Sequence, residues 1–138
     1  MHALRNCHRM LVEGGTLLDL HPIPPSMHAF AEGRDLGVVD ERRFFRLVRA
    51  TERELERTVA EGLFVQEAET ELDVVERFDS ADELFETVAE WENIRFSKRV
   101  RARIQRAEPP IDLRERLALR RYRAIPPPRP GPRGRADA

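Results

Sequence analysis

Cysteine is nearly missing from this chain of 138 residues: the only one is Cys7. A single thiol excludes an internal disulfide, so the expected home is a reducing cytoplasm. Long apolar runs are missing too. None approaches the ~20 residues that a membrane-spanning helix needs, so no membrane partner is expected. The first residues form a short amphipathic segment with Glu13 close behind it, which is not the pattern of a signal peptide. Internal repeats are absent.

What is present suits a globular domain with a heavily charged surface. Charged residues make up 36% and hydrophobic ones 41%, and the length is that of one domain with a real core. Net charge is near zero but unevenly laid out. From Arg95 onward there are 14 Lys/Arg against 4 Asp/Glu, which leaves 10 and 21 for residues 1–94. Such asymmetry can mark a polyanion-binding end. The reading preferred here is that the two halves pack against each other.

Hydrophobic periodicity divides the chain into elements. Leu4, Cys7, His8 and Leu11 share one face of an N-terminal helix, and Gly14-Gly15 supply the positive-φ positions that end it. Thr16 to Leu20 is a short apolar strand that His21-Pro22 stops, because proline has no N–H for a ladder. Ile23 to Gly37, punctuated by Pro24, Pro25, Gly33 and Gly37, reads as an irregular loop. Asp40 caps a long helix to about Glu61, with Phe44, Val48, Leu55 and Val59 as its stripe and Phe45 and Leu47 beside it. From Leu63 to Phe78 the residues alternate: Phe64, Ala68, Leu72, Val74 and Phe78 on one face, Glu67, Glu69, Glu71 and Asp73 on the other. Ser80-Ala81-Asp82-Glu83 is a capping box opening a helix that turns Leu84, Phe85, Val88 and Trp91 inward. Ser97 to Ala107 is a further helix, closed by Pro109-Pro110. Leu113 to Ile125 is the last strand, with Leu117 and Leu119 on one face and Arg114, Arg116, Arg120 and Tyr122 on the other. Residues 126–138, rich in proline, arginine and glycine, read as a disordered tail behind a domain of residues 1–125.

The stretch Leu11-Val12-Glu13-Gly14-Gly15-Thr16-Leu17-Leu18-Asp19-Leu20-His21-Pro22 organises the rest. Helix, glycine turn and buried strand are half of an α/β unit. From Ala3 to His21 it resembles the helix, "PGG" turn and fifth strand of class I S-adenosylmethionine-dependent methyltransferases: Arg9-Met10-Leu11 and Gly14-Gly15 match, while Glu13 stands where that turn often has proline. Glu71 to Asp79 is similar to the sixth strand of that group, and Arg114 to Arg123 to its seventh. The resemblance covers residues 3–125 and only the C-terminal half of such an enzyme. It implies an α/β fold with a partial Rossmann-like sheet of three strands, mixed in direction. Thr16–Leu20 is innermost in it, and the last strand lies antiparallel between that strand and Leu63–Phe78. It also implies transfer of a methyl group from S-adenosylmethionine to an unidentified acceptor.

Two residues stand out as substrate-side candidates. His21 falls at the carboxyl end of the central strand, where open α/β sheets bind ligands, and a histidine there can hydrogen-bond a substrate or take a proton. Asp19, two residues back on the same face, can orient it. Each has an equally ordinary role, a capped strand-end histidine and a buried polar anchor. The acidic ladder Glu67, Glu69, Glu71 and Asp73 could suggest a metal, but the arginine-rich face of the last strand offers cross-strand partners, and that reading is preferred. The basic segment Arg95–Arg106 has only Phe96 as an interleaved aromatic, so it reads as a solvated helix face rather than a nucleic-acid grip. Pro127-Pro128-Arg129-Pro130 fits a polyproline ligand pattern, which in such a tail is ordinary linker composition. His2, Cys7 and His8 share a helix without a fourth metal ligand.

The family's glycine-rich turn after a first strand is missing, and so is the acid that holds the ribose hydroxyls. No cofactor-binding residue is therefore assigned, and the chain is expected not to bind S-adenosylmethionine alone. It is read as a truncated methyltransferase, inactive by itself, whose partners are the methyl acceptor and either the missing N-terminal half or a second copy. The alternative is a non-enzymatic α/β module that pairs through its exposed sheet edge or its basic C-terminal end.

Overall fold

The computed structural model describes residues 3–126. Their elements are α1 (Ala3–Met10), β1 (Thr16–Ala31), β2 (Arg34–Val38), α2 (Arg42–Ala60), β3 (Phe64–Phe78), α3 (Ala81–Ala89), α4 (Lys98–Arg106) and β4 (Ile111–Ala124). The fold is α/β, with one open sheet in the order β2-β1-β4-β3. Every neighbouring pair is antiparallel. This corrects the expected sheet of three mixed strands. The placement of the last strand agrees: β4 lies between β1 and β3 and runs antiparallel to both.

The extra strand arises because β1 does not stop at His21-Pro22. It runs through three prolines to Ala31, turns at Glu32-Gly33 and returns as β2, so the expected loop is a hairpin. Proline is excluded from a strand only where its N–H must feed a ladder. Here the ladder to β4 breaks between Ile23 and His28, and β2 pairs only with His28–Ala31. Pro24 and Pro25 fall in that gap. Over Thr16–Ile23, β1 is consequently not innermost: β4 is its only strand partner among the described residues.

Paired residues point to the same side of a sheet, so the ladder sorts the side chains into two faces. Ala29, Leu113 and Glu76 share one face with Ile111 and Phe78. α3 and α4 cover it through Leu84, Phe85, Val88, Val100 and Ile104, with Met27, Leu36 and Val39 closing the main core. The upper part of this face carries Leu18, Leu20, Leu117, Leu119 and Leu72; Leu18, Leu20 and Leu72 are exposed. On the opposite face a smaller cluster joins Leu55 of α2 to Phe64, Tyr122 and Ala124, with Leu4 and Leu11 packed against it.

Phe64 is therefore not on the face expected for it. A register shift between Gln66 and Ala68 inserts a residue, so Phe64 and Phe78 lie on opposite faces. α2 is capped at Glu41 rather than Asp40, although the Asp40 carboxylate still accepts from the Arg42 N–H at 3.2 Å. In α2 Phe45, Leu55 and Thr58 are buried; of the expected stripe only Leu55 is among them, while Phe44, Val48 and Val59 are half-buried. The capping box forms one residue out of register: Ser80 accepts from the Glu83 N–H, and the Glu83 carboxylate reaches the N–H of Asp79. Only Gly14 of the glycine pair has positive φ; a Cβ on Gly15 would lie 2.9 Å from the Val12 carbonyl oxygen. The tail expected to be disordered lies, beyond Pro126, outside the described residues, as does His2.

Candidate functional site

Asp19 and His21 sit two apart on β1 and share a face. The His21 ring nitrogen Nδ1 is 2.9 Å from Asp19 Oδ2, so the carboxylate orients the imidazole. Its Nε2 is 3.1 Å from Glu52 Oε1 on α2, at ion-pair distance but off the hydrogen-bond direction. Arg120 of β4 donates to the same Glu52 oxygen at 3.1 Å and lies 3.4 Å from Glu69. The imidazole is thus held between the carboxylates of Asp19 and Glu52, the second of which Arg120 also engages, and it is only 8% exposed. It borders a cleft of about 250 Å³ between β1 and α2, lined also by Leu20, Phe44, Val48 and Thr51. His21 is not at a strand end, since β1 continues ten residues to Ala31.

Most of the other side-chain groups singled out in the sequence are engaged by their neighbours. His8 Nε2 lies 2.8 Å from the Ile125 carbonyl oxygen, and Cys7 is exposed and unpaired. Arg116 meets Glu71 and Asp73, while Arg121 and Arg123 meet Glu67. In α4, Arg101 lies over the Phe85 ring at 4.0 Å, and Arg103 donates to the Leu36 carbonyl. Among the described residues no group of three or more His, Cys, Asp or Glu could hold a metal ion, and no helix is long and apolar enough to cross a membrane.

A larger cleft, about 460 Å³, opens on the other sheet face beside Pro22. β4 contributes Glu115 and Leu117, β3 contributes Glu76, and the start of α2 contributes Glu41, Phe44 and Leu47. The connection between α3 and α4 closes it with Trp91, Glu92, Asn93 and Ile94. Asn93 turns that connection at φ 66°, and an antiparallel bridge between Asp40 and Arg95 pins its far end to the start of α2. Glu41 is 1% exposed. Its Oε2 accepts from the Met27 N–H at 2.6 Å, while its Oε1 has no partner among the described residues. Burial pushes the Glu41 carboxyl above the usual range, against the Met27 hydrogen bond. Glu115 is pushed up as well, first by burial and then by the charges of Glu41 and Glu76.

This cleft escaped the sequence reading, although one signal was visible. Ile111, Leu113, Leu117 and Leu119 alternate along β4, and Glu115 occupies the middle place of that apolar register. Glu76 breaks the register of Leu72, Val74 and Phe78 in the same way, and β3–β4 pairing sets the two carboxylates diagonally opposite. Comparison of the chain with protein-family models, with curated proteins and with solved structures finds no match.

Proposed function

We propose that this chain is the acceptor-side, C-terminal part of a class I S-adenosylmethionine-dependent methyltransferase, acting in the cytoplasm on an unidentified acceptor and inactive alone. The observation that carries this reading is the strand arrangement. β1 and β3 both run antiparallel to the β4 between them, which is the order and direction that the resemblance implies for the fifth, seventh and sixth strands. The partial Rossmann-like sheet belongs to this proposal, with the β1–β2 hairpin as an addition to it. The open apolar face around Leu18, Leu20 and Leu72 supports it too, as a surface for further structure to cover.

The chain's own residues do not fit the cofactor. Among the described residues no strand passes through a glycine-rich turn into a helix: the segments from β2 to α2 and from β3 to α3 contain no glycine. Gly14 and Gly15 precede β1 at its amino end. Recognition of the methyl donor therefore falls to the missing half, and Asp19 and His21 remain candidates on the acceptor side.

The reading frame upstream of the Met1 codon tests the proposal. An in-frame segment with a glycine-rich turn after its first strand, which confers S-adenosylmethionine binding when joined to this chain, supports it. A stop codon close upstream, with no such segment encoded nearby, overturns it. One observation favours a second reading, an interaction module: among the described residues the edge of β1 over Thr16–Ile23 has no strand partner on its outer side, and Leu18 and Leu20 there are 61% and 56% exposed.

A further inference from the structure

We propose that the cleft between β3, β4, the start of α2 and the α3–α4 connection binds an organic ammonium ion, with Glu41 Oε1 accepting a hydrogen bond from its N–H. The inference stands on the cleft alone and holds whether or not the chain takes part in methyl transfer.

Three observations point to this ligand. Glu41 is 1% exposed and keeps one oxygen without a donor among the described residues, and a buried acceptor of that kind calls for a donor. Around it stand Glu76, Glu92 and Glu115, and among the described residues none of the four forms an ion pair with Lys, Arg or His. Elsewhere the carboxylates of the sheet are matched: Glu69 by Arg120, Glu71 by Arg116 and Asp112 by Arg77. The charge that this cleft lacks is positive. Its walls also include Phe44, Leu47, Trp91, Ile94 and Leu117, so the cation should carry an apolar body, and the Trp91 ring suits an ammonium group placed over it. The volume of about 460 Å³ is that of a small-molecule site.

Competing ligands fit less well. A divalent cation needs several oxygens converging at coordination distance, whereas no group of the described residues meets that geometry. An anion would face four carboxylates. A neutral alcohol could donate to Glu41 but would leave the repulsion among the glutamates unrelieved.

Trp91 is the chain's only tryptophan, so its emission reports the cleft directly. Titration of the purified chain with 2-phenylethylammonium chloride should give a saturable change, and 2-phenylethanol or 3-phenylpropionate at equal concentration should not. Glu41→Gln keeps a carbonyl oxygen for the Met27 N–H and should weaken ammonium binding by roughly tenfold, the loss of one charge-assisted contact. Glu115→Gln, at a partly exposed position, should weaken it by a similar factor while removing no internal hydrogen bond. The proposal is overturned if the ammonium gives no saturable signal, if the alcohol binds equally well, or if both variants bind as the wild type does.

Discussion

Gly37 is where the hairpin touches the helical layer, and replacing it by alanine tests the packing directly. The residue sits at φ +131°, and a Cβ built there would lie 2.6 Å from Val100 Cγ2 of α4. Two costs follow. A residue with a side chain at that φ is strained by about 1–3 kcal/mol. Forcing a methyl into a filled core adds about 1–3 kcal/mol more, because Val100 is 6% exposed and has little room to move. Gly37→Ala should therefore destabilise the fold by about 2–6 kcal/mol, a large share of the ~5–15 kcal/mol typical of a domain. Gly33 is the control. Its φ is +71° with nothing within 4 Å of an added Cβ, so alanine there should cost only about 1–2 kcal/mol. Urea unfolding followed by circular dichroism measures both. Adding Val100→Ala to Gly37→Ala removes the clashing methyl, and the double variant should be more stable than additivity predicts by about 1–3 kcal/mol. A Gly37→Ala loss no larger than that of Gly33→Ala, or strict additivity with Val100→Ala, would refute the reasoning.

The remaining expectations concern charge, association and the cofactor. The Glu41 carboxyl is raised in the fold by burial and faces Glu76 of β3, Glu115 of β4 and Glu92 of the α3–α4 connection. The folded chain then keeps a proton that the unfolded chain has released above its ordinary value of 4.5. Stability should fall as pH rises from there through the raised native value and then level off, and Glu41→Gln should flatten that slope in pH-dependent melting. A wild-type melting temperature that rises over that interval contradicts it. At the acid end Asp40, held down to about 2 chiefly by its hydrogen bond to the Arg42 side chain, acts with the opposite sign: its stabilisation is lost as pH drops below 3.8. Leu18 and Leu20 on the open β1 edge should drive self-association at micromolar concentration, visible in sedimentation velocity, and Leu18→Lys with Leu20→Lys should abolish it; a monomeric wild type sinks the edge argument. Calorimetric titration with S-adenosylmethionine should be flat, and a micromolar constant would overturn the division of labour proposed for this chain.

Much of the secondary structure was legible because it follows local periodicity. α3 buries Leu84, Phe85 and Val88 as its spacing implies, Ser97 caps α4 by accepting from the Val100 N–H, and β4 sets Arg114, Arg116 and Arg120 on the face opposite Leu117 and Leu119. What stayed hidden depends on partners that a single sequence does not display. Pro22, Pro24 and Pro25 read as a stop because nothing local says whether a neighbouring strand needs their N–H groups; here Pro22 stays in the ladder opposite Leu117, a gap in that ladder takes in Pro24 and Pro25, and the β1–β2 hairpin follows. The face of Phe64 changed because the inserted residue near Glu67 leaves no mark on composition. Asp19 and His21 were legible as a pair on one face, and they do meet at 2.9 Å. Glu52, which closes the other side of the imidazole, comes from α2 and could not be placed beforehand. Glu41 lay hidden for the same reason: its cleft needs three elements and a connection to assemble around it.

The uneven charge of the chain acquires a structural meaning once β4 is in place. Arg116, Arg120, Arg121 and Arg123 sit on β4, and the acids they meet sit on β3 and α2, so the basic C-terminal part packs against the acidic earlier part. Exposed pairs of this sort contribute only about 0–1 kcal/mol each. Their larger effect is on register, since sliding β3 by one residue along β4 would set its acids against the leucine face. With 24 basic and 25 acidic side chains, the chain has cations enough to match nearly every carboxylate. Yet none of the described ones reaches the four glutamates beside Trp91. Arg95 passes close by and turns instead to Asp40, whose backbone it bridges and whose charge it helps to hold. Beside Trp91 the sheet's Glu76 and Glu115 stand with Glu41 without such partners among the described residues, and it is the buried Glu41 for which a missing donor costs most. A cluster kept in that state against available arginines is best explained by a cation that the chain itself does not provide.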